Sequence, residues 1–118
     1  MKVALPLFAF LLLAFNSTVS FAEPETGFDL RDACRATNLD ASSVSKLEEM
    51  RMVRCTGYVD GVTDGWLLAG RSICAPANAT IGEYAAVVTK YLEDHPEELH
   101  LSPASLVIRA VNHAWPCK

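Results

Sequence analysis

Apolar residues recur with helical spacing along most of the chain, and the clearest case begins after Thr80. There, apolar side chains fall at intervals of three and four residues and form one face of an amphipathic helix. The helix ends at His95-Pro96, because the residue before a proline disfavours helical conformation. The members of the apolar face are Ile81, Tyr84, Ala85, Val88, Tyr91 and Leu92.

A longer helix is predicted before it, from about Lys46 to about Arg71. Ser45 and Glu48 have the spacing of a capping box at its start. Its drifting apolar stripe consists of Leu47, Met50, Tyr58, Val62, Trp66 and Ala69. Three glycines share one face, namely Gly57, Gly61 and Gly65. We expect close packing there, with a kink or break allowed, and not a phosphate loop, because no strand precedes them.

Two shorter helices complete the predicted all-α, four-helix domain. The first covers Phe28 to Thr37. The last begins with Ser102 as cap and Pro103 in the first turn, and it stops at Pro116. Its predicted inward side chains are Ala104, Val107, Ile108, Val111 and Trp115.

Residues 1–22 have the pattern of a secretion signal. A positive Lys2 precedes the apolar run from Val3 to Phe15, and Ser20-Phe21-Ala22 places small residues where a signal peptidase cuts. The run is short for a membrane span and has no basic stop-transfer flank. We therefore expect cleavage, no membrane anchor, and an exported domain of residues 23–118.

Four cysteines in an exported chain predict two disulfides. Along a continuous helix, Cys55 and Cys74 would lie about 28 Å apart, whereas a disulfide needs Cα atoms about 4.4–6.8 Å apart. Short connections make successive helices antiparallel. The last helix then runs parallel to the long helix, so the C-terminal ends of these two helices lie together. The first helix packs against the N-terminal half of the long helix. The predicted pairs are Cys34–Cys55 and Cys74–Cys117.

Charge and motif content exclude several classes of function. The formal net charge is −4, and removal of Lys2 with the signal makes it more negative, which argues against nucleic acid as a partner. Asp60 and Asp64, four residues apart, are expected to be neutralised by nearby arginines. His95 and His100 match no standard zinc spacing. We predict no catalytic residue, no cofactor and no metal.

Four separated segments contain the most distinctive cysteines, glycines, aromatic residues and prolines of the chain. They are Cys55 to Gly61, Cys74-Ala75-Pro76, Tyr91 to Glu97 and Trp115-Pro116-Cys117. In this order and spacing the chain resembles the Rap/Tai family of immunity proteins from bacterial type VI secretion systems. The resemblance covers about residues 28–117.

The resemblance implies a small helical protein of the periplasm that binds and inhibits a peptidoglycan amidase effector, with a homodimer as a further partnership. The toxin-binding surface is not marked by any motif. We expect it on the connection between the last two helices, which combines an apolar residue with acidic and imidazole groups. Its predicted contact residues are Asp94, His95, Glu97, Glu98, Leu99 and His100.

Two alternatives come from other classes of protein. A periplasmic acid-stress chaperone of the HdeA kind is also small, helical and disulfide-bonded, and histidines and carboxylates would give it titratable groups. A small exported enzyme or metal-binding protein is the other alternative.

Overall fold

The computed structural model describes residues 24–40 and 42–118, and the signal predicted for residues 1–22 lies outside these ranges. Within them the chain forms four α-helices and no β-strand. The helices are α1 (Gly27–Cys34), α2 (Lys46–Leu68), α3 (Ile81–Asp94) and α4 (Pro103–Ala114), with 3-10 turns at Arg35–Asn38 and Pro96–Glu98. The predicted all-α, four-helix fold is confirmed.

Capping boxes begin the first three helices. In each box the N-cap hydroxyl accepts a hydrogen bond from the N–H three residues on, and the carboxylate of that residue accepts one from the N-cap N–H. The pairs are Thr26 with Asp29, Ser45 with Glu48, and Thr80 with Glu83. The second box confirms the one predicted at Ser45 and Glu48, and the sequence analysis missed the first.

Helix α2 is continuous across its glycines and ends three residues earlier than predicted. Gly70 has a φ of 76°, a left-handed conformation that glycine adopts without a steric penalty. Its N–H donates to the Leu67 carbonyl, which closes the last turn. Helical periodicity cannot locate such a stop, because Arg71 still fits the helical pattern.

Only the middle of α2 is buried, on the side that carries Cys55, Val59 and Thr63. The predicted stripe is wrong at its ends, because Leu47, Met50 and Ala69 are exposed. Length explains the difference: 23 residues make α2 about 35 Å long, whereas the 14 residues of α3 cover about 21 Å. Both ends of α2 therefore extend beyond the helices that cover its centre.

Side chains from all four helices form one core around the centre of α2. Helix α3 contributes four of its six predicted residues to the buried core, whereas Ile81 is exposed and Tyr84 is half-buried. In α4 the predicted Ala104 is exposed. Fully buried aliphatic side chains of the core are Leu30, Val59, Val88, Leu92, Leu99, Leu106, Val107 and Val111.

Both disulfides have the predicted pairing. Cys34 and Cys55 lie inside the core, with Cα atoms 4.9 Å apart, and join the end of α1 to the middle of α2. Cys74 and Cys117 are exposed, with Cα atoms 5.2 Å apart, and join the segment after α2 to the end of the chain.

The side of α2 that carries Gly57, Gly61 and Gly65 is not packed. A Cβ built on Gly57, Gly61 or Gly65 meets no atom within 4 Å, and all three residues are exposed. The expectation of close packing within the domain is therefore wrong. The other three helices all lie against the opposite side of α2.

Gly27 is the glycine that the fold does require. A Cβ at this first position of α1 would lie 2.6 Å from the Leu99 carbonyl oxygen and 2.5 Å from Leu106 Cδ1. The start of α1 is thus pressed against the backbone of the α3–α4 connection, where only a hydrogen atom fits.

We predict that Gly27→Ala lowers the free energy of unfolding by about 1–3 kcal/mol, because the new methyl group overpacks this contact. Gly82→Ala is the matched control, since a Cβ there meets only Thr80 Oγ1 at 3.7 Å. Urea unfolding of both variants measures the effect. Equal stability of the two variants would contradict the close approach.

Acid should weaken the fold partly through the capping carboxylates. Hydrogen bonds from Thr80, chiefly its N–H, lower the pKa of Glu83 below the ordinary value of 4.5. A carboxyl with a lowered pKa contributes stability above its unfolded pKa, and this contribution is lost as the pH falls through the folded pKa.

We predict that the unfolding free energy of Glu83→Gln falls less than that of the unchanged protein when the pH drops from neutral to below 4.5. Urea unfolding across this pH range measures both slopes, and an unchanged slope for Glu83→Gln would count against the capping contribution.

Candidate functional site

Five of the six side chains predicted to contact a partner lie on the connection between α3 and α4, and the sixth, Asp94, is the last residue of α3. The connection begins at His95, which caps α3 by donating its N–H to the Tyr91 carbonyl. Pro96–Glu98 then make a single 3-10 turn, and Ser102 caps α4 through its hydroxyl. The segment is thus bounded by two helix ends.

Glu98 fixes the connection to both flanking helices. The Tyr91 hydroxyl donates to Glu98 Oε2 at 2.8 Å, and Arg109 Nη1 donates to Glu98 Oε1 at 3.2 Å. Burial raises the pKa of Tyr91, and the hydrogen bond to Glu98 raises it further. The phenol therefore stays a donor at neutral pH, and Glu98 serves as an internal tie.

Leu99 anchors the connection to the core. Its side chain is 0% exposed and belongs to the core, and its backbone packs against Gly27. In this conformation Leu99 holds the segment in position and presents no apolar side chain to a partner.

The other four predicted residues reach the surface. Lys90 Nζ donates to the Asp94 carboxylate at 2.7 Å and lowers the pKa of Asp94. His95 Nδ1 lies 3.0 Å from Glu97 Oε1, and the pKa of Glu97 is lowered first by its own backbone N–H and then by this contact. His100 is exposed.

Three aromatic rings support the start of the connection. The Tyr91 ring lies 4.3 Å from the His95 ring and 5.6 Å from the His113 ring, measured between centroids. The two imidazoles are 5.9 Å apart and meet edge to face. Since His113 lies in the last turn of α4, the rings bridge the ends of two helices.

Sequence reasoning missed three members of this surface: Tyr91 as a hydrogen-bond donor, Arg109 and His113. Tyr91 carried a usable signal, because a buried tyrosine ring needs a partner for its hydroxyl. Arg109 and His113 gave no such signal. Their positions become known only when α4 is packed against α3.

A shallow groove of about 360 Å³ lies on a different side of the domain, between the first 3-10 turn and the start of α2. Its lining carries both signs of charge and consists of Asp32, Arg35, Ala36, Leu39, Glu48 and Arg51. Arg35 is engaged with Asp32 and with Glu93. The groove contains no convergent set of groups for one ligand.

The described residues hold no group of three or more histidine, cysteine or carboxylate side chains that could bind a metal ion. All four cysteines are in disulfides. Within residues 24–40 and 42–118, no helix is long and apolar enough to cross a membrane. The surface at the α3–α4 connection is suited to contacts with another protein, through fixed carboxylates and imidazoles.

Comparison with known proteins identifies the family. The family model of the Rap1a immunity proteins matches residues 26–117, from the N-cap of α1 to the last cysteine. Neither the curated proteins nor the solved structures gave a match. The matched range contains α1 to α4, both disulfides and the α3–α4 connection. The chain belongs to the Rap1a immunity protein family.

Proposed function

We propose that this protein acts in the periplasm, where it binds and inhibits a peptidoglycan amidase effector of a type VI secretion system. The family match over residues 26–117 carries the proposal, because immunity proteins bind a cognate effector and are in general not enzymes. The amidase as target follows from the resemblance of the motifs. The predicted signal at residues 1–22 and the two disulfides support an exported, oxidising location.

The α3–α4 connection is the proposed contact with the effector. Inhibition by a fixed segment loses little conformational entropy on binding. Glu98 and Leu99 hold this segment from inside, so Asp94, Glu97 and His100 are presented on a preorganised backbone. The exposed part of the surface is mainly acidic, which suits a basic patch beside an amidase cleft.

We propose in addition that the protein associates with a second copy of itself, as the resemblance implies. Self-association and effector binding can be measured independently of each other.

We predict that replacing Asp94 and Glu97 together by lysine weakens binding to the cognate amidase at least about tenfold, since two central carboxylates become repulsive. The measurement is calorimetric titration of the mature protein with candidate periplasmic amidases, together with hydrolysis of peptidoglycan.

The control replaces Glu49 and Glu25 by lysine. It makes the same change in net charge, and Glu49→Lys breaks an exposed ion pair with Lys46 just as Asp94→Lys breaks one with Lys90. We expect the control to bind like the unchanged protein. Equal affinity of the two double variants would remove the connection as the contact. Suppression of client aggregation at acidic pH, with no amidase bound, would favour the chaperone alternative.

A further inference from the structure

Helix α2 has an open side that the fold leaves unused. Gly57, Gly61 and Gly65 lie on it, about 120–160° around the helix from the buried Val59, at about 100° per residue. Each glycine costs an exposed helix interior up to about 1 kcal/mol relative to alanine. None of the three has a positive φ or a packed neighbour, so the domain itself gains nothing from them.

Large apolar side chains extend this open side towards both ends of α2. Met50 is 61% exposed, Val53 is 67% exposed and Leu68 is 88% exposed. They lie on the same side as the glycines by helical spacing. We call this surface, formed by Met50, Val53, Arg54, Gly57, Gly61, Asp64, Gly65 and Leu68, the glycine face. It combines a shallow backbone groove with apolar side chains at its two ends.

Charges of opposite sign lie on either side of the central glycines. Arg54 precedes Gly57, and Asp64 follows Gly61. Neither side chain has a hydrogen bond or an ion pair in the described part of the chain. The arginine acts only at longer range, where its charge contributes to lowering the pKa of Asp29. The arginines expected to neutralise Asp64 therefore do not contact it.

The arrangement of the glycine face is complementary to itself. Consider a two-fold axis that is perpendicular to α2 and passes midway between Gly57 and Gly61. It places each residue on one side of this midpoint opposite the residue of the second copy that lies equally far on the other side. The facing pairs are Gly57 with Gly61, Arg54 with Asp64, and Met50 with Leu68. A parallel pair would instead set each arginine level with its own equivalent, and each aspartate likewise.

We infer that the glycine face of α2 binds the glycine face of a second copy, with the two helices antiparallel. The glycines let the two backbones approach closely, the apolar ends cover each other, and the unpaired charges find partners of opposite sign. Such an isologous contact uses the same patch on both copies. The inference rests on the proposed self-association and names the surface and orientation that produce it.

The face favours a second copy over the effector as its occupant. Its charges are balanced, so it offers no net attraction to a partner of one sign, whereas it matches its own pattern reversed. One helix face is smaller than the standard interface of about 1,600 Å². We therefore expect an equilibrium between monomer and dimer that depends on micromolar protein concentration.

Sedimentation velocity of the mature protein, from low to high micromolar concentration, tests the inference. We predict a monomer–dimer equilibrium whose dissociation constant rises at least about tenfold in Gly61→Leu. The leucine enters open space in the monomer, so the helical circular dichroism should be retained. Gly82→Leu on α3 is the matched control and should dimerise normally, since its Cβ has only one distant neighbour.

Charge reversal tests the antiparallel orientation. Arg54→Asp and Asp64→Arg should each weaken the dimer, and the double variant should recover it, because the facing pair is restored with its signs exchanged. A parallel pair predicts no such recovery.

The outcomes separate the claims. A monomer at every concentration would overturn both the self-association and this inference. A dimer that Gly61→Leu leaves intact would overturn the inference alone. Loss of amidase binding in Gly61→Leu, with the unchanged protein monomeric, would instead make the effector the occupant of this face. Failure to inhibit any amidase, with the dimer behaving as predicted, would count only against the effector proposal.

Discussion

The buried disulfide between Cys34 and Cys55 is the constraint on which the rest of the structure depends. Helix α1 has eight residues, too few to be stable by itself in water. The disulfide holds the end of α1 against the middle of α2, and both sulfurs lie inside the core. Thr89 strengthens this point, because its hydroxyl donates to the Cys34 carbonyl and joins α3 to the same place. Three helices therefore meet at one covalent link.

The position of that link determines which surfaces remain for partners. Since the core forms around the centre of α2, both ends and one side of this long helix stay uncovered. At the other edge of the domain, α1 presses Gly27 onto the backbone of Leu99 and so supports the α3–α4 connection from below. A rigid connection and an open helix side are thus two consequences of one packing arrangement. The proposed inhibitor would use the first for its effector and the second for a copy of itself.

Local signals predicted most of the fold, and the errors arise where distant parts of the chain decide the outcome. Ser45, Thr80 and Ser102 mark helix starts through hydrogen bonds made within one turn, so sequence spacing suffices for them. Both disulfides followed from helix lengths and short connections. Periodicity could not show that the neighbours of α2 are too short to cover Leu47 and Met50. In the candidate site, the tie from Arg109 to Glu98 joins residues on different elements, and no local pattern encodes it.

The two disulfides also allow the central role of Cys34–Cys55 to be measured. Loop length alone would make Cys74–Cys117 the more stabilising link by about 0.6 kcal/mol, because it closes the longer loop. Burial reverses this order, since removing two core sulfurs also leaves a cavity. Urea unfolding should therefore show that Cys34→Ala with Cys55→Ala loses at least about 1 kcal/mol more than Cys74→Ala with Cys117→Ala. Equal losses, or a larger loss for the exposed pair, would contradict the account.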